Sequence, residues 1–84
     1  MNDAKLRELA AILMAVDNSD EMIILLRGLF TEKELEDVTR RVQIVKLLKQ
    51  GVAQHVIAKK LGVGVATVTR GSMEIQKGRF RNVS

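Results

Sequence analysis

The chain has 84 residues, no Cys, Pro, Trp or Tyr, a single His and a formal net charge of +4. That length supports one domain, residues 1–84, with little room for a self-sufficient core. Without Cys there are no disulfides or thiolate metal sites, His55 cannot hold a metal alone, and the two Phe give single-stranded bases little to stack on. No apolar run approaches the ~20 residues of a membrane span. The first residues, Met1 to Lys5, lack a signal-peptide pattern, so a cytoplasmic setting is expected. With 46% hydrophobic residues in so short a chain, oligomerisation is the expected way to cover the apolar surface.

Residues 3–16 read as an amphipathic helix. Leu6, Leu9, Leu13 and Val16 form its stripe, with Ala10 and Met14 beside it. Asp3 is the candidate N-cap, and the polar break Asp17-Asn18-Ser19-Asp20 ends the helix at Asp17 or Asn18. Ser19 is the candidate cap of a second helix, over 20–29, with Asp20 and Glu21 complementing its positive end. Met22 to Leu26 is apolar all round, so this helix should be buried on most sides, by a second chain, the bland alternative being the central helix of a small bundle. Gly28-Leu29-Phe30 breaks the pattern. Thr31 and Glu34 then form a capping box, and Phe30 and Leu35 a hydrophobic staple. The third helix carries Leu35, Val38, Val42, Val45 and Leu48 as its stripe, widened by Ile44 and Leu47. Gly51 closes it.

Residues 51–72 read as a helix-turn-helix. Its first helix runs from about Ala53 to Leu61, with Val56, Ile57 and Leu61 as the apolar stripe and the small Ala58 allowing a close crossing. Gly62 suits a left-handed turn, and Val63 plugs the corner. The second helix begins near Gly64 and extends to about Lys77, so the motif spans about 53–77. Val68 faces inward. Val65, Ala66 and Thr69, small and outward, suit the floor of a major groove, and Gly64 belongs to the same face. Gln54, His55, Lys59, Lys60 and Thr67 are candidates for phosphate contacts. The segment from Gly78 to Ser84 reads as a mobile basic tail. The expectation is all-α, with five helices and no strand.

Charge is divided unevenly. Residues 39–84 hold ten Lys or Arg and one acid, Glu74, a net of +9; residues 1–38 hold four and nine, a net of −5. A positive field confined to the half with the helix-turn-helix fits neutralisation of duplex phosphates. The bland alternative is an αα-hairpin that packs a core beneath a solvated basic face. A protein-interaction module using the Met22–Leu26 surface would leave the basic half unexplained. An enzyme is not expected: there is no nucleophile–base pair around His55, no Gly-rich phosphate loop and no metal-ligand cluster.

The run Val63-Gly64-Val65-Ala66-Thr67-Val68-Thr69-Arg70-Gly71-Ser72 closely resembles the recognition segment of the tryptophan repressor family. Residues 39–51, Thr-Arg-Arg-Val-Gln-Ile-Val-Lys-Leu-Leu-Lys-Gln-Gly, resemble its long central helix. The resemblance is close over 31–77 and only one of pattern over 1–30. It implies an intertwined all-helical homodimer, a sequence-specific repressor of double-stranded DNA, and a corepressor such as L-tryptophan. Within it, Arg41 and Arg70 take the place of the arginines that flank an indole ring, Gly71 that of the glycine giving the ring room, and Thr31 that of the edge receiving the amino group across the dimer. The ordinary alternative for Arg41 and Arg70 is pairing with nearby acids on a solvated face. Glu74 stands where the family has a small serine, and either pairs with a ligand ammonium or folds back onto Arg70. The turn after Gly51 is one residue shorter than in the tryptophan-binding members. No counterpart of the family's final helix follows Gly78, so a smaller dimer, or a DNA binder independent of ligand, is the alternative.

Overall fold

A computed structural model describes residues 2–84. It contains five helices and, among the described residues, no strand: α1 Asp3–Met14, α2 Ser19–Leu29, α3 Glu32–Lys49, α4 Gln54–Leu61 and α5 Val65–Gln76. The chain divides into two compact units, one up to Leu35 and one from Glu36 to Ser84. No helix among the described residues is long and apolar enough to cross a membrane.

In the first unit, both N-caps sit one residue earlier than the sequence suggested. Asn2, not Asp3, caps α1 by accepting the Ala4 N–H at 2.7 Å. Asn18, not Ser19, caps α2 by accepting the Glu21 N–H at 2.9 Å. Asparagine competes well with Asp and Ser at this position, and whichever of the neighbours holds extended backbone takes the role. Helix α1 also stops at Met14 rather than at 16, ahead of the polar break, and Gly28 continues α2 instead of breaking it. The capping box of α3 forms as expected. The Thr31 N–H donates to Glu34 Oε1 at 2.9 Å and the Glu34 N–H to Thr31 Oγ1 at 3.1 Å.

Neither α1 nor α2 contains a buried residue. Met14 is 85% exposed and Ile24 66%. Along the apolar run of α2, Ile23 and Ile24 are exposed and Met22, Leu25 and Leu26 are half-buried.

The second unit holds the core. Ile44 and Val45 of α3, Ile57 and Ala58 of α4 and Val68 of α5 are buried. Leu47, Leu48, Val52, Leu61 and Val63 pack around them. Each large side chain so buried contributes roughly 1.5–3 kcal/mol. Two sequence assignments shift. Val56 is exposed, because α4 turns residues 57, 58 and 61 inward and Val56 lies ~100° away from Ile57 around the helix. On α3, Val38 is exposed and Ile44 is a centre of the core rather than its margin.

Helix α4 ends at Gly62, whose φ of 67° is left-handed, and the Val63 N–H returns to the Ala58 carbonyl at 3.0 Å. This six-residue closure reverses the chain between α4 and α5 and places Val63 against the core.

Candidate nucleic-acid interface and ligand cleft

Helix α5 begins at Val65, capped by the extended backbone of Gly64. Val68 is fully buried against α4, and that fixes the rotation of the whole helix. Val65 is consequently half exposed and Ala66 exposed on the opposite side. His55, Lys59 and Lys60 are exposed on α4. The remaining pair is less free than the sequence implied. Thr69 is half-buried, and its hydroxyl donates to Gln54 Oε1 at 2.7 Å. Gln54, the first residue of α4, thus ties the two helices together, and its amide nitrogen remains a donor.

Thr67 turns toward α3. It lines a cleft of about 420 Å³ that lies within the second unit, between α3, α5 and the segment after α5. The buried Ile44 and Val45 and the backbone at Gly71 make its apolar side. Arg41 from α3 and Arg70 from α5 bring two guanidiniums, and Glu74, Arg79 and Phe80 complete the rim. A smaller hollow on the α3 side brings Thr67 and Arg41 together with Asp37 and Arg40.

Four of the residues singled out from the sequence as ligand-binding, Arg41, Arg70, Gly71 and Glu74, therefore line one cleft. Thr31 belongs to the first unit, and its hydroxyl serves the α3 cap. Gly71 has a second use. A Cβ there would stand 3.1 Å from Ile44 Cγ2 and 3.5 Å from Leu48 Cδ1, so the missing side chain lets α5 approach α3 closely. Glu74 does not fold onto Arg70. Its Oε2 lies 3.3 Å from Arg79 Nε and its Oε1 3.4 Å from Lys77 Nζ. Among the described residues, neither Arg41 nor Arg70 takes part in an ion pair.

The segment after α5 was expected to be mobile, but it folds back on its own unit. Gly78 has φ 81°, and the Arg79 N–H donates to the Glu74 carbonyl at 3.1 Å. The turn this makes carries Arg79 to the Glu74 carboxylate and Phe80 to the cleft. Lys49, at the end of α3, donates from Nζ to the carbonyls of both Phe80 and Val83. Lys49, Lys77, Arg79 and Phe80 were missed as site residues. The signal available was Gly78 itself, a helix-stop glycine that returns the following residue to a carbonyl five positions back.

The family profile described as Trp repressor protein matches residues 4–81. A Trp operon repressor homolog of Xylella fastidiosa (strain M23) is 33% identical over 75 residues, 88% of this chain and 82% of that protein. A Trp operon repressor homolog of Vibrio campbellii is 46% identical over 63 residues, 74% of this chain and 62% of that protein. One from Vibrio parahaemolyticus is 38% identical over 71 residues, 83% and 69% respectively. No solved structure gives a significant match.

Proposed function

Because the chain belongs to the Trp repressor family, we propose that it is a transcriptional repressor that binds two-fold symmetric sites in double-stranded DNA as a homodimer, under control of a small aromatic ligand seated between Arg41 and Arg70. The observation that carries this reading is the α4–α5 corner. Burial of Val68 turns Val65 and Ala66 outward at the start of α5, beside the exposed Lys59 and Lys60 of α4. Small side chains let a helix sit deep in a major groove, where their methyl groups meet thymine methyls. Thr69, held by Gln54, offers its hydroxyl oxygen as an acceptor, while Gln54, His55 and the lysines face phosphates. Gly64 brings backbone close to the same surface.

The ligand would act on α5. Arg41 and Arg70 stand on different helices, and a planar ring between their guanidiniums would fix the α5 orientation relative to α3. L-tryptophan is the first compound to test. The alternative is a repressor of the same fold that needs no ligand. One observation favours it: the segment 78–83 already stands on the cleft and holds Glu74.

Selection from a random-site duplex library, with and without L-tryptophan and with calorimetry of the ligand alone, tests both. The expected outcome is a two-fold symmetric site bound more tightly with ligand. Equal site affinity with and without ligand would select the ligand-independent form. No preference among duplex sequences would end the repressor reading.

A further inference from the structure

Helix α5 is anchored in its first half. Val68 is buried with Ile44 and Ile57, and the missing side chain of Gly71 lets Ile44 and Leu48 come close. Beyond Gly71 the core gives out: none of residues 72–76 is buried, and Met73 is 53% exposed. The helix has 12 residues and is therefore about 18 Å long. A rod of that length held only in one half can swing at the other. Its angle to α3 then sets how Val65, Ala66 and Thr69 are presented.

The segment 78–83 supplies a second point of attachment. Gly78, at φ 81°, turns the chain, and the Gly78 N–H donates to the Ile75 carbonyl at 2.9 Å and the Arg79 N–H to the Glu74 carbonyl at 3.1 Å. Arg79 Nε also lies 3.3 Å from Glu74 Oε2. This binds the segment to the far end of α5. Its other attachment is to α3. Lys49, the last residue of that helix, donates from Nζ to the carbonyls of Phe80 and Val83. Phe80 lines the cleft with Ile44 and Val45 of α3. An ammonium has three donors, and Lys49 directs two of them to this strap while forming no ion pair among the described residues.

We propose, on the reading that the α4–α5 corner binds duplex DNA, that the strap 78–83 braces the far end of α5 against α3 and so sets the angle at which α5 meets DNA, with Lys49 as its positioning residue. Residues outside the helix-turn-helix thereby bear on sequence preference.

Hydrogen exchange of the α5 amides and duplex affinity, measured with no small ligand present, test it. The unmodified protein is compared with a chain ended at Lys77, with Lys49→Met and with Lys46→Met. Lys46 is exposed on the same helix and carries the same charge, but it is Lys49 that holds the strap carbonyls. In Lys49→Met, exchange at residues 72–76 should quicken about fivefold, the scale of one net hydrogen bond. The shortened chain should show more, with the amides of the buried Ile57 and Val68 unchanged. The ratio of affinity for a selected site to affinity for an unrelated duplex, in which lost phosphate contacts cancel, should fall by a similar factor. Lys46→Met should leave both readings as they are in the unmodified protein. Unchanged exchange in Lys49→Met, or an equal effect of Lys46→Met, overturns the brace. Faster exchange with an unchanged affinity ratio overturns its role in reading DNA. An unmodified protein without preference among duplexes ends the DNA reading itself, while the exchange comparison still decides whether the strap holds α5.

Discussion

Single side chains in this protein are set by what their neighbours require of them. Glu34 is an example of charge fixed by local geometry. The Thr31 backbone N–H, and after it the Thr31 hydroxyl, hold its carboxyl below the usual glutamate range against an opposing desolvation. A carboxyl lowered on folding contributes stability that is fully present above its unfolded value and is lost as pH falls through the folded one. The difference in thermal midpoint between the unmodified protein and Glu34→Gln should therefore close on acidification. A gap constant with pH would show that the charge adds nothing to the cap. Gln54 and Thr69 are a second such case. Thr69→Val should change preference at one base position by about 1–3 kcal/mol. Because Gln54 holds the same hydroxyl, Gln54→Ala should alter that position too, and the double variant should fall short of the sum. Additive effects in a binding-site selection would show that the pair acts independently.

Elements here are stopped by glycine and oriented by a few buried side chains. Gly62 is left-handed at φ 67° with nothing near its missing Cβ, so Gly62→Ala meets backbone strain alone. The expected loss is about 1–2 kcal/mol in denaturant unfolding, the cost of an L-residue in that region. Ile57 is fully buried between the core residues of α3 and α5. Ile57→Ala leaves a cavity and should lower stability by about 2–5 kcal/mol, a large part of what a small domain has. A loss under 1 kcal/mol would mean that the core closes over the gap. The same rotation that buries Ile57 and Val68 exposes Val65 and Ala66, so packing of the corner and presentation of its outer face are one event.

At the scale of the molecule, the two units have opposite characters. The second unit buries its own apolar side chains. The first buries none among its described residues, and its helix α2 leaves Ile23 and Ile24 exposed. Exposed apolar surface of this kind marks an interface. A homodimer is the expected occupant, and light scattering at micromolar concentration should give about twice the 9.4 kDa chain mass. A folded monomer under those conditions would defeat the expectation. Charge is distributed the same way, positive where the α4–α5 corner lies and negative in the stretch before it.

The sequence alone determined what depends on neighbours along the chain. The capping box Thr31–Glu34, the left-handed turn at Gly62 and the order of five helices follow from residue type and short spacing. The inward position of Val68 was legible from helical period, and the juxtaposition of Arg41, Arg70, Gly71 and Glu74 only through the resemblance of the run 63–72 and of residues 39–51 to the Trp repressor family. Tertiary structure decided what depends on rotation about a helix axis and on contacts between distant positions. Val56 lies on an apolar stripe on paper, yet a turn of ~100° puts it in solvent and Ala58 in the core. Thr69 reads as a free hydroxyl until Gln54, fifteen residues earlier, is brought to 2.7 Å. Glu74 has Arg70 one helical turn away, but Gly78 reverses the chain and delivers Arg79 instead. The tail Gly78 to Ser84 is polar and short, with no periodic signal of order. Lys49, more than thirty residues distant from Phe80 and Val83, orders it by donating to the carbonyls of both, a contact that no local pattern encodes.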